Sequence, residues 1–173
     1  MIGVVMTATT GSAAAKMAEP RTDAAARKGE ARSLRIVIGE NNADLALTLG
    51  LLLDAEPDMQ CVATGASAGA VLSAVDEHSP NAFILDLSLD DGPSLPLIST
   101  LRERLPAAVI VVFTGHSNAM LKDHCLRAGA DALVVKSGEF DELTSALRQA
   151  ARAAGARAAA PDMPGGGRLS ADG

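Results

Sequence analysis

The sequence predicts an α/β domain in which helices cover both faces of a doubly wound, five-stranded parallel sheet. Three observations carry that expectation. Short apolar runs alternate five times with helical patterns between Leu34 and Ala154. The runs are apolar throughout, as strands buried on both faces are. They also stop abruptly at polar residues. Arg35–Ile38 stops at Gly39-Glu40-Asn41, Asn81–Leu85 at Asp86, Val109–Phe113 at Thr114, and Ala132–Val135 at Lys136. If these strands share one parallel sheet, an acidic turn, a carboxylate, a hydroxyl and an ammonium meet at its C-terminal edge. Open α/β sheets bind ligands at that edge, and this set suits a phosphoryl group held on an aspartate.

The first strand is expected over 34–38. The first helix follows over 43–55, capped by Asn41 or Asn42, with Leu45, Leu49 and Leu52 on one face and Pro57 beyond its end. The second strand is placed at 59–63 and the second helix at 67–77. The third strand, 82–86, carries Asp86 at its end, and the third helix, 94–104, stops before Pro106. The fourth strand spans 108–113, and the fourth helix, 118–127, is closed by Gly129. The fifth strand spans 131–135. The fifth helix runs over 139–153 with Phe140, Leu143, Leu147 and Ala151 as its buried stripe. Right-handed crossovers then give the flavodoxin-like order 2-1-3-4-5.

Composition sets bounds on the rest. The 173 residues suit one domain with tails, here 34–154 between an Ala- and Thr-rich tail at 1–33 and a Gly/Pro-rich tail at 155–173. Hydrophobic residues make up 48% of the chain and aromatics only 2%, all Phe, so the core must be aliphatic. Sixteen acids and eight bases lie between Leu34 and Ala154. So acidic a body argues against direct nucleic-acid binding. Cys61 and Cys125 are too few for a disulfide framework or a zinc site. No apolar run is long enough for a membrane span, and Met1–Met6 lacks the basic start of a secretion signal. A cytoplasmic protein without membrane contact is therefore expected. The position of Met6 and Met17 leaves the true translation start open.

Five segments, in order, resemble the receiver domain of two-component response regulators. They are Arg35–Asp44, Ile84–Leu89, Val112–Gly115, Ala128–Asp131 and Val135-Lys136. The resemblance spans about 34–153, and the Lys136-Ser137 pair is closest to receivers attached to helix-turn-helix output domains. It implies that Asp86 accepts a phosphoryl group from a histidine kinase or phosphotransfer protein. Thr114 and Lys136, with the backbone amides of Leu87, Ser88 and Gly115, would bind the phosphoryl oxygens. Glu40, Asn41, Asp86 and the Ser88 carbonyl would hold Mg²⁺. Thr114 and Leu133 are the switch positions. His116, two residues past Thr114, would influence dephosphorylation. Output would pass to a protein partner through the face of the fourth helix, fifth strand and fifth helix, with Leu121, Lys122, Leu133, Arg148 and Arg152.

Three residues depart from the family pattern. Asn41 stands where a second acid is usual, so Mg²⁺ is expected to bind weakly. Leu133 replaces the usual aromatic switch residue. Ser137 replaces a proline, and a cis bond there would cost about 3 kcal/mol, so trans is expected. The leading expectation is a single-domain response regulator that signals by protein contact and is not an enzyme. The alternative is a degenerate receiver acting as a phosphorylation-independent binding module. A haloacid-dehalogenase-type phosphatase would need an acid two residues after Asp86, where Ser88 stands. Lys136 is expected at the sheet edge, where its loss opens no core cavity.

Overall fold

Side chains of a strand alternate between two faces, so a strand apolar at every position needs cover on both. The computed structural model, which describes residues 33–159, provides that cover. In β1 (Leu34–Gly39), Ile36 and Ile38 point to one face and Val37 to the other. In β3 (Ala82–Leu85), Ala82 and Ile84 oppose Phe83 and Leu85. In β6 (Val109–Thr114), Val109, Val111 and Phe113 oppose Ile110 and Val112. The first face packs under α1 (Ala43–Asp54) and α5 (Phe140–Ala159), through Leu49, Leu53, Leu143 and Leu147. The second packs under α2 (Ala68–His78), α3 (Leu95–Arg104) and α4 (Ala119–Ala128), through Val71, Ile98, Leu101 and Cys125.

With β2 (Met59–Gly65) and β7 (Ala132–Val135), the sheet is parallel in the order β2-β1-β3-β6-β7. This is the expected flavodoxin-like order. The expected cap and stop signals act where they were read. The Asn42 side chain accepts from the Leu45 amide at 3.0 Å and starts α1. Gly129 ends α4 at φ 113°, and its amide bonds back to Leu126. All described peptide bonds are trans, including Lys136–Ser137.

Four expectations change. The buried stripe of α1 is Ala46, Leu49, Gly50 and Leu53 rather than Leu45, Leu49 and Leu52. Leu45 is only half-buried and Leu52 is exposed, as are Leu47 and Leu51. Six leucines lie between Leu45 and Leu53, so periodicity alone does not select the inner face. Secondly, α5 continues to Ala159, past the expected 153, and takes up residues 155–159 of the expected tail. Its buried stripe is Leu143, Leu147, Ala150 and Ala154. Alanines dominate that stretch and supply helix propensity without a strong apolar period. Thirdly, Ser88–Leu89 (β4) and Gly92–Pro93 (β5) pair as a small antiparallel hairpin between β3 and α3. Fourthly, β2 extends to Gly65. The remainder of both expected tails, 1–32 and 160–173, lies outside the described residues.

Arg102, in α3, ties its helix to the two segments 106–108 and 129–131. Its guanidinium donates to the carbonyls of Pro106, Ala108 and Gly129 and pairs with Asp131 at 3.0 Å. A methyl group on Gly129 would sit 2.8 Å from the Arg102 Cβ, at a positive φ that L residues disfavour. Gly129→Ala is therefore expected to lower unfolding free energy by about 2 kcal/mol, seen as a lower denaturant midpoint at unchanged slope.

Candidate functional site

Parallel register decides which residues meet at the sheet edge. Gly39 pairs with Leu85, Leu85 with Val112, and Thr114 with Val135. Glu40, Asp86, Thr114 and Lys136 therefore stand at one edge, on or just past adjacent strand ends. Neighbouring strands lie about 4.8 Å apart, so β7 is roughly 10 Å from β3. The four-carbon stem of Lys136 bridges that gap. Its Nζ lies 2.6 Å from Glu40 Oε2 and 3.0 Å from Asp86 Oδ2.

Both carboxylates are engaged at their other oxygen as well. Glu40 Oε1 accepts from the Asn42 amide at 3.0 Å, and Asp86 Oδ1 accepts from the Leu87 amide at 2.7 Å. Glu40 is 3% exposed at its side chain, Asp86 12% and Lys136 21%. Burial pulls the Lys136 ammonium toward its neutral form. Hydrogen bonds to Glu40 and Asp86, and then their charges, outweigh that and hold its pKa above the usual lysine value. Two carboxylates against one ammonium leave the cluster one negative charge in excess.

Thr114 is buried, and its carbonyl accepts from the Lys136 amide at 2.8 Å. Its hydroxyl has only a long, 3.5 Å contact with the His116 amide, too weak to fix it. The hydroxyl can thus turn toward an oxyanion beside Asp86. His116 and Gly115 are exposed next to it, and a Cβ on Gly115 would meet open space. Ser88 is exposed at the start of the hairpin, and Leu87 is half-buried. Asn41 is exposed in the turn after Glu40. Leu133 packs with the α2–α4 side of the core, in the same layer as Leu121.

The donor set fits a hard divalent cation. Two carboxylates, the Asn41 amide and the Ser88 carbonyl offer oxygen only, and the cluster carries excess negative charge. Magnesium is usually held by one or two carboxylates with phosphate and water completing its shell. Among the described residues no group of three or more His, Cys, Asp or Glu forms a self-sufficient metal centre.

Two features went unnoticed in the sequence. Asp91, at the tip of the hairpin, accepts from the Ala68 and Gly69 amides at 2.8 and 3.2 Å. The Asp91-Gly92 pair between Leu89 and Pro93 is a hairpin signal that could have found it. Arg148, expected on the output face, turns instead toward the α1–β2 turn. There it pairs with Glu56 and Asp58, which raises its basicity and, by the hydrogen bond, holds Asp58 below the usual carboxylate range. Lys122 and Arg152 are exposed.

A family model described as the response regulator receiver domain matches residues 36–148. The oxygen regulatory protein NreC of Staphylococcus haemolyticus is 32% identical over 116 residues, 66% of this chain and 54% of that protein. NreC of Staphylococcus carnosus is 30% identical over the same length. The chain spans about half the length of these relatives, 54% in both cases. Among solved structures, a LuxR-family two-component response regulator from Aurantimonas sp. SI85-9A1 superposes with a TM-score of 0.66 at 25% identity, over 70% of this chain and 86% of that one. The signal receiver domain of the putative response regulator NarL from Mycobacterium tuberculosis matches in fold, with a TM-score of 0.64 at 18% identity over 70% of this chain and 98% of that one.

Removing the ammonium opens no apolar cavity but leaves Glu40 buried beside Asp86 without its partner. Lys136→Met is expected to destabilise at neutral pH by about 3 kcal/mol. The sign with pH follows from the raised lysine pKa. The ion-pair contribution is fully present below the unfolded lysine value, about 10.4, and is lost as pH rises through the folded value. Urea melts across pH 7–11 should show the wild-type advantage over Lys136→Met shrinking only in the alkaline range.

Proposed function

Since the chain belongs to the response regulator receiver domain family, we propose that it accepts a phosphoryl group on Asp86 and passes the signal on by protein contact. The observation that carries this reading is the Lys136 ammonium held between the Asp86 and Glu40 carboxylates. It is a fixed positive charge poised beside the one strand-end aspartate flanked by Thr114.

The donor is a phosphohistidine of a sensor kinase or phosphotransfer protein. Asp86 Oδ attacks phosphorus, the P–O bond forms, and the P–N bond to the imidazole breaks with its electron pair returning to the ring nitrogen. The charge that accumulates on the equatorial oxygens needs fixed positive partners. Lys136 supplies one. The Thr114 hydroxyl and the amides of Leu87, Ser88 and Gly115 donate to the remaining oxygens. Glu40, Asn41, Asp86 and the Ser88 carbonyl are the residues that would hold Mg²⁺. When bound, this ion neutralises phosphoryl oxygens and lowers repulsion between the acceptor carboxylate and the incoming anion. His116, exposed at the mouth, would affect the approach of the water that ends the signal.

Output goes through α4 and β7, where Met120 and Leu126 are exposed apolar side chains and Lys122 supplies charge. The acidic balance of residues 34–154, sixteen acids to eight bases, disfavours direct nucleic-acid binding, and no catalytic turnover is assigned to the domain. The second reading, a phosphorylation-independent binding module, is favoured by Asn41 and Leu133. No described helix is long and apolar enough to cross a membrane.

Acetyl phosphate with Mg²⁺ is expected to add one phosphoryl per chain to the wild type and none to Asp86→Asn, read by intact mass. Equal labelling of the two would sink the assignment, and no labelling of either would favour the binding module. Asn41→Asp is expected to tighten Mg²⁺ binding. The change adds a carboxylate to the donor set, and calorimetric titration suits a chain without Trp or Tyr. The same variant should melt lower in chelator, because like charges crowd the site, and gain more from added Mg²⁺.

A further inference from the structure

Directly after Asp86, the chain is fastened at two places. At its base, the Ser94 amide donates to the Leu87 carbonyl at 3.0 Å, with Ser94 fully buried at the start of α3. At its tip, the Asp90 amide donates to the Ala66 carbonyl at 2.9 Å. The Asp91 carboxylate spans the Ala68 and Gly69 amides. Between base and tip lies the β4–β5 hairpin, whose turn closes at Gly92 with φ 125°.

The first amides of a helix have no intrahelical partner. In α2 the first three helical amides find acceptors outside the helix ladder. Asp91 takes Ala68 and Gly69, and Ser67 Oγ takes Ala70 at 3.1 Å, before the ladder begins with Val71 on the Ser67 carbonyl. Asp91 thus caps α2 from another element, using ionised acceptors that the helix dipole favours. The Ala68 amide bond, chief among the causes, keeps its carboxyl below the usual aspartate range.

The hairpin carries the Leu87 amide, already on Asp86 Oδ1, and the Ser88 backbone. We propose that Asp91 is a positioning residue, whose clasp on the N-terminus of α2 holds the Leu87–Ser88 backbone against Asp86 and sets the lifetime of the phosphoryl group there. The proposal rests on the reading of Asp86 as the acceptor. Hydrolysis needs a water in line with the P–O bond. A hairpin released at its tip opens that approach while Lys136 still meets the phosphoryl oxygens. Water attack at phosphorus then returns the Asp86 carboxylate and inorganic phosphate.

The test uses the full chain with Asp91→Ala and Asp91→Asn. Asn keeps a side-chain oxygen for one amide and should rescue in part. After acetyl phosphate is removed, the Asp86 adduct is expected to decay roughly tenfold faster in Asp91→Ala, with Asp91→Asn between it and the wild type. In unmodified protein, amide hydrogen exchange should quicken at residues 87–92 and at the start of α2, while β1, β3 and β6 stay protected. A lower melting point with unchanged adduct lifetime would make Asp91 a helix cap alone and overturn the proposal. So would unchanged exchange at 87–92. A wild type that takes no phosphoryl group would overturn the acceptor reading and the lifetime role with it. The exchange data tell that failure apart from a failure of the clasp.

Discussion

One ammonium between two buried carboxylates is the contact on which the functional edge depends. Lys136 comes from the third strand along from Glu40, and it reaches both acids only because the intervening strand ends are level. A one-residue slip in any of these pairings would turn an acid toward the core or carry the lysine out of reach. An unpaired carboxylate buried as deeply as Glu40 costs several kcal/mol, so the ion cluster and the register support each other. Under the proposed function, the leftover negative charge would attract a divalent cation and leave the lysine to meet the phosphoryl group.

Around this cluster the residues divide by how firmly they are held. Asp86, Glu40 and Thr114 are buried at strand ends, where two packed faces leave them little freedom. Asn41, Gly115, His116 and Ser88 are exposed on turns. Charge placement is therefore rigid, while the exposed groups on the surrounding turns are free to adjust. The β4–β5 hairpin stands between these classes. It is exposed at its tip yet tied to the start of α2 through Asp91 and to Ala66, just before that helix, through Asp90. Leu133, which the family resemblance marks as a switch position, is an aliphatic side chain partly buried beside the α2–α4 layer. A movement of Thr114 would therefore be felt through aliphatic packing rather than the turning of a ring.

The helices show where sequence signals lose force. Caps were legible because they are local. The Asn42 bond to Leu45 and the left-handed Gly129 depend on a few adjacent residues. Facing was not legible in α1, where leucines surround the helix and only contact with Cys61 and the sheet picks out Gly50 and Leu53. Length was not legible in α5, because alanine favours the helix equally on both sides of the expected boundary. The direction of Arg148 was missed for a related reason. A residue one step from a buried leucine can leave the helix on either side, and the acids that claim it, Glu56 and Asp58, lie ninety or more positions earlier.

The sequence by itself determined the order of elements, the two-sided burial of the central strands and the polar residue at each strand end. These follow from the period of two along a strand and from residues that break it, both written locally. From them came Asp86, Thr114, Lys136 and Glu40 as candidates. Only the tertiary structure decided that Lys136 bonds both acids, that Asp86 already accepts from Leu87, and that Asp91 fastens the neighbouring hairpin to α2. Each of those joins groups from segments brought together by parallel pairing. The free energy of a charged contact depends on distance and burial, and neither is a property of residue type or spacing along the chain.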